Sequence, residues 1–305
     1  MISKIEFKSK DNRNVRVLKV GKGESVLVLH GLGLTGSNII PLFSKYFNNY
    51  SFYFPDARGH GKTDTGNLDV SKNNIESHLA DDVEEIIERL EINPKIMIAY
   101  SMGAMTAIEF LSRKRNSYIE KYLHIDFPVS YGEYEDLDGN IKCGTLDHIN
   151  DEQKDLEDKL SHKFLDRKYS VFSENQKGIL ASVYVPYYKK LAKVSLGNFL
   201  LSAFYTNIPN FLFIKRMPDV NFIHCLWSSM IYKGCDLRMR AKNIKANTFI
   251  VAGNKQSLFN HEAVFDFKNY ITRSELMMVE NGAHSFIFLN PFQFQKILKN
   301  FLNDE

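Results

Sequence analysis

Hydrophobic positions along this chain follow two rhythms. Short apolar runs predict strands at Val15–Val20, Val26–Leu29, Tyr50–Phe54, Ile96–Ala99, Tyr122–Ile125, Thr248–Ala252 and Leu276–Val279. The first two flank the turn Gly21-Lys22-Gly23. Between the runs, Ile75, Leu79, Val83, Ile86, Ile87 and Leu90 recur at helical spacing with acidic residues among them. Ala104–Arg115 and Pro291–Leu302 also read as helices. Strand alternating with helix predicts an α/β fold with a mostly parallel sheet covered on both faces.

The middle third breaks this rhythm. From about residue 130 to 240 there is no convincing buried strand. A charged, turn-rich stretch (Gly132–Asn140) leads into helical patterns rich in Phe and Tyr. This predicts a helical cap over 129–240, inserted into a core formed by 1–128 and 241–305. Such a cap turns an apolar face toward the C-terminal edge of the sheet, where ligands bind in folds of this kind.

Composition narrows the picture. The 305 residues are 44% hydrophobic and 25% charged, as expected of a globular protein with a large core. A net charge of +3 with no basic block argues against a nucleic-acid partner. Cys143, Cys225 and Cys235 form neither a paired framework nor a zinc-ligand spacing, so reduced thiols are expected. Met1–Lys10 lacks the apolar run of a signal peptide. No uncharged apolar run of about 18 residues predicts a membrane span. The nearest, Phe199–Ile214, is broken by Asn207, Pro209 and Asn210. The expectation is a cytoplasmic protein.

The chemistry concentrates at Met97-Ile98-Ala99-Tyr100-Ser101-Met102-Gly103. An apolar strand runs into a serine flanked at −2 and +2 by small residues, and a helix follows at once. This is the layout of a strand–nucleophile–helix elbow, whose serine sits on a strained turn at the positive end of a helix. Serine is also a common helix cap, so the segment alone leaves both roles open. Two other segments could converge on it. The strand Val26–Leu29 ends in His30-Gly31-Leu32-Gly33, either a plain turn or one that aims the Leu32 N–H where the Met102 N–H points. Two such donors on a developing oxyanion contribute about 3 kcal/mol each. His284 lies beyond the last predicted strand and before the last helix, placed to take and return the serine proton. His60, in Asp56-Ala57-Arg58-Gly59-His60-Gly61, reads as part of a structural loop.

Taken together, these segments resemble the α/β-hydrolase superfamily, in particular its cap-bearing esterase and lipase-like members. The resemblance rests on His30-Gly31-Leu32-Gly33, Asp56–Gly61, Ala99–Gly103 and Gly282-Ala283-His284, in the family's order, and covers nearly the whole chain. It implies Ser101 as nucleophile, His284 as general base and the Leu32 and Met102 amides as oxyanion hole. Ala99 stands where the family more often has glycine. One departure matters: the turn that commonly carries the triad acid reads Gly253-Asn254-Lys255-Gln256. Asp126, at the end of the strand after the elbow, is the substitute, since some branches place their acid there. Glu262 and Asp266 are further candidates on the next helix.

The expected activity is a serine hydrolase cleaving an ester, thioester or amide of a small molecule with an apolar acyl part, using no metal or cofactor. An acyltransferase on the same machinery and a non-catalytic ligand-binding protein of this fold are the alternatives. A dehalogenase or epoxide hydrolase is disfavoured, because those branches place aspartate where Ser101 stands.

Overall fold

The computed structural model describes residues 1–68, 74–145, 151, 154–155, 173, 219–227, 229–230, 234–255 and 258–303. Most of the predicted cap therefore lies outside the described residues, as does Gln256.

Eight strands form one sheet: β1 (Ile2–Lys8), β2 (Asn14–Gly21), β3 (Glu24–Leu29), β4 (Tyr50–Pro55), β5 (Ile96–Tyr100), β6 (Lys121–Ile125), β9 (Asn247–Gly253) and β10 (Ser274–Val279), in the order β1-β2-β4-β3-β5-β6-β9-β10. The β1–β2 and β2–β4 pairs are antiparallel, and every pair from β4 through β10 is parallel. The parallel strands therefore all end on one edge of the sheet. The elbow, the Asp126 turn and the His284 loop leave from that edge.

Period-two alternation sends successive residues of β5 to opposite faces. Met97 and Ala99 join the core beneath α2 (Ile75–Arg89) and α3 (Met102–Ser112). Ile96, Ile98 and Tyr100 join the other core, with Phe294, Ile297, Leu298 and Phe301 of α8 (Pro291–Asn303). All five β5 residues are buried, as a central parallel strand requires. Helix α2 buries the stripe that its periodicity predicts, Ile75, Leu79, Val83, Ile86 and Ile87. Truncating a fully buried anchor such as Leu298 to Ala costs about 2–5 kcal/mol.

Two departures from the sequence reading have local causes. β1 is an edge strand whose residues are mostly exposed, so no apolar run marks it; seven register pairs with β2 hold it. Within the turn-rich stretch after residue 130, β7 (Glu133–Glu135) and β8 (Ile141–Cys143) form a short antiparallel hairpin. The Asp136 carboxylate closes its turn, accepting from the Asp138 and Asn140 N–H groups at 2.9 Å each. Short helices α1 (Gly36–Ile39), α4 (Val220–Trp227), α5 (Arg238–Ala241), α6 (His261–Asp266) and α7 (Phe286–Leu289) complete the described α-helices. Among the described residues no helix is long and apolar enough to cross a membrane.

Candidate active site

Ser101 joins β5 to α3 with φ 55° and ψ −121°, a region that non-glycine residues rarely enter. Two features hold it there. Its N–H donates to the Ile125 carbonyl at 2.9 Å, and its own carbonyl accepts from Ala104 and Met105 as α3 begins. The glycine at +2 is required by contact. A Cβ on Gly103 would stand 2.5 Å from the Leu29 carbonyl oxygen, a backbone atom that cannot move aside. The turn aims the side chain at the His284 loop, where Ser101 Oγ lies 3.0 Å from His284 Nε2. Ser101 is only 7% exposed. The imidazole and the Gly31 backbone wall it in, and a Cβ on Gly31 would come within 3.1 Å of the serine Cβ.

The other nitrogen of His284, Nδ1, lies 2.7 Å from Asp126 Oδ2. Asp126 follows β6 with φ 52°, so the chain turns sharply there and the carboxylate swings toward β10. Of the three carboxylates considered from sequence, Asp126 stands against the imidazole. Asp266 is buried near Lys142 Nζ, at 3.8 Å, and Glu262 lies in the first turn of α6.

Two aromatic residues that sequence reasoning missed hold the His284 ring. Tyr100 stacks on it at 5.2 Å and 26°, and its hydroxyl donates to the His284 carbonyl at 3.0 Å. Phe259 meets the ring edge-on at 5.1 Å. Tyr100 was within reach of sequence reasoning, because it occupies the variable position immediately before the serine. Phe259 carried no such signal.

The loops after β3 and β4 form the opposite wall. The buried Asp56 carboxylate accepts from Arg16 Nε at 2.6 Å and from the Gly36 and Lys62 N–H groups at 3.0 Å each. His30 Nε2 accepts from the Ala57 N–H at 2.9 Å, and His60 Nε2 accepts from the Gly33 N–H at 3.2 Å. Each ring therefore carries its proton on Nδ1, facing the Gly31 and Arg58 carbonyls respectively. Burial, reinforced by the neighbouring His30 ring, pushes His60 down to about 3; burial also lowers His30. His60 is thus a structural neutral imidazole. In the 30–34 turn, Gly33 N–H is taken by His60 and Leu34 N–H by the Gly31 carbonyl. Neither contact gives Leu32 N–H an acceptor. Met102 N–H, the first amide of α3, has none within its helix.

Comparison with known proteins agrees with this architecture. A family model described as alpha/beta hydrolase fold matches residues 24–291. The AB hydrolase superfamily protein YisY of Bacillus subtilis (strain 168) is 19% identical over 303 residues, covering 97% of this chain and 98% of that protein. An esterase (EaEST) from Exiguobacterium antarcticum superposes with a TM-score of 0.75 at 16% identity, over 99% of this chain and all of that one. The N-acyl homoserine lactonase AidH, complexed with N-butanoyl homoserine, superposes with a TM-score of 0.69 at 16% identity, over 99% of this chain and 97% of that one.

Proposed function

Since the chain belongs to the alpha/beta hydrolase fold family, we propose that it is a serine hydrolase acting on an ester, thioester or amide with an apolar acyl part. Ser101 is the nucleophile, His284 the general base and Asp126 the acid that orients it. The observation that carries this reading is the unbroken chain of contacts from Ser101 Oγ to His284 Nε2, 3.0 Å, and from His284 Nδ1 to Asp126, 2.7 Å.

In the acylation step Ser101 Oγ attacks the substrate carbonyl carbon while His284 Nε2 takes the hydroxyl proton. The carbonyl oxygen becomes an oxyanion, received by the Leu32 and Met102 N–H groups; the α3 N-terminus adds its dipole. His284 returns the proton to the departing alcohol, thiol or amine, leaving an acyl group on Ser101. A water deprotonated by His284 then releases the acid. Asp126 keeps Nδ1 protonated so that Nε2 faces the serine, and its charge stabilises the imidazolium formed in each half-reaction.

A fluorophosphonate probe and p-nitrophenyl acyl esters of increasing chain length test the proposal. The panel includes N-acyl homoserine lactones, internal esters open to the same attack and the class acted on by AidH. Labelling and turnover present in the native protein and absent from Ser101→Ala support it. A native protein that neither labels nor turns over any of these esters refutes it and leaves ligand binding as the function.

A further inference from the structure

Asp126 N–H donates to the Val251 carbonyl at 2.9 Å, extending the β6–β9 ladder by one step, and the chain then reverses through the left-handed conformation of Asp126. A carboxylate on a non-glycine residue in that conformation persists only where neighbours hold the turn. His124 is the neighbour placed to do so. Its Nε2 lies 2.7 Å from the Phe127 carbonyl oxygen, the first acceptor beyond Asp126. A carbonyl only accepts, so Nε2 carries the proton and Nδ1 accepts from the Tyr122 hydroxyl at 2.8 Å.

Position 124 lies within a fully buried stretch of a parallel strand, where an apolar side chain is the ordinary occupant. Both Tyr122 and His124 are fully buried, and the imidazole packs on Phe267 at 4.3 Å between ring centres. Two contacts of the polar pair leave its own strand: the Tyr122 hydroxyl lies 3.4 Å from the Ala104 carbonyl in the first turn of α3, and His124 reaches Phe127, just beyond Asp126. We infer that His124 is a positioning residue: by holding the Phe127 carbonyl it keeps Asp126 turned toward His284. This rests on the reading of Asp126 as the triad acid.

Two amide variants separate this role from packing. In His124→Gln the amide reaches the place of Nε2 and keeps a donor for Phe127. In His124→Asn it reaches only the place of Nδ1, keeping a partner for Tyr122 and losing Phe127. On a p-nitrophenyl ester, His124→Asn lowers kcat roughly 100-fold, as a carboxylate displaced by about 1 Å would, with KM nearly unchanged. Its acid limb in kcat/KM moves to lower pH, because His284 loses the charge that supports its imidazolium. His124→Gln retains kcat within about threefold, with the limb unmoved. Equal behaviour of the two variants, or wild-type limbs in both, overturns the inference. Asp126→Asn is the control. If it is inert, the triad reading itself falls; if it is crippled while the two amide variants match, only the role of His124 falls. Should neither amide variant fold, ¹⁵N-histidine NMR of the native protein decides. A proton on Nε2 of His124 is expected, and one on Nδ1 overturns the inference.

Discussion

Two kinds of histidine stand at the same edge of the sheet, and their partners set them apart. His30 and His60 sit in glycine-rich loops, as His284 does, and all three follow a strand or its loop. The rings of His30 and His60 engage backbone groups through both nitrogens. Their tautomers are set and they are buried, so they cannot exchange a proton without breaking the loops they hold. His284 engages two side chains instead, a hydroxyl and a carboxylate, and keeps 11% of its side-chain surface. An imidazole becomes available for proton transfer when its partners can change protonation with it; one bonded to main chain serves as a staple.

The contrast can be broken or sharpened in order of expected effect. Asp126→Asn removes the partner that makes His284 different and lowers kcat about 10⁴-fold, by analogy with other serine triads. Steady-state turnover checks this, and near-wild-type rates would make His284 no more catalytic than His60. Acid acts on the buried imidazoles next. His60 and His124 are held by burial at about 3 and about 4 in the folded protein, whereas in the unfolded chain they titrate near 6.5. Below pH 6.5 the unfolded chain binds more protons, so stability falls with pH through the window down to the folded values. The two together lose about 4 kcal/mol at pH 5 relative to neutral pH. Urea midpoints at pH 7.5 and pH 5 read this directly.

His60→Leu leaves the Gly33 N–H and the Arg58 carbonyl without their partners, for a loss of about 2–4 kcal/mol in chemical denaturation. Its folded fraction keeps kcat within roughly tenfold. Loss of fluorophosphonate labelling without loss of stability would move His60 into the catalytic set. The smallest change is Asn254→Ala, where the structural role lies with an amide at the end of β9. Asn254 Oδ1 accepts from the Asn281 N–H at 2.8 Å, and its Nδ2 donates to Glu280 at 2.7 Å, bracing the His284 loop from an exposed site. A thermal scan should show a cost of about 1 kcal/mol or less, with kcat little altered.

Much of this was readable along the chain, and the failures have a common cause. The buried parallel strands and helix α2 follow from apolar periodicity, because burial on both faces or on one stripe leaves a mark in local sequence. β1 left no such mark: its pairing partner stabilises it, and its side chains stay in solvent. The roles of Phe259 and His124 were illegible for a related reason. Each acts through a contact to a distant segment or to a main-chain carbonyl, and neither has a signature in residue type.

The primary chain by itself determined the alternation of strands and helices, the elbow at Ser101 and the loop placement of His284. These follow from local geometry: a tight strand–helix turn admits only small neighbours, and parallel strands all end on one edge. Which carboxylate meets the imidazole was decided only by the tertiary structure. Asp126, Glu262 and Asp266 are the same chemistry in one dimension. The left-handed turn after β6 and its position beside β9 bring the first of them within 2.7 Å of His284, since the reach of a short side chain depends on where its backbone has been folded to stand.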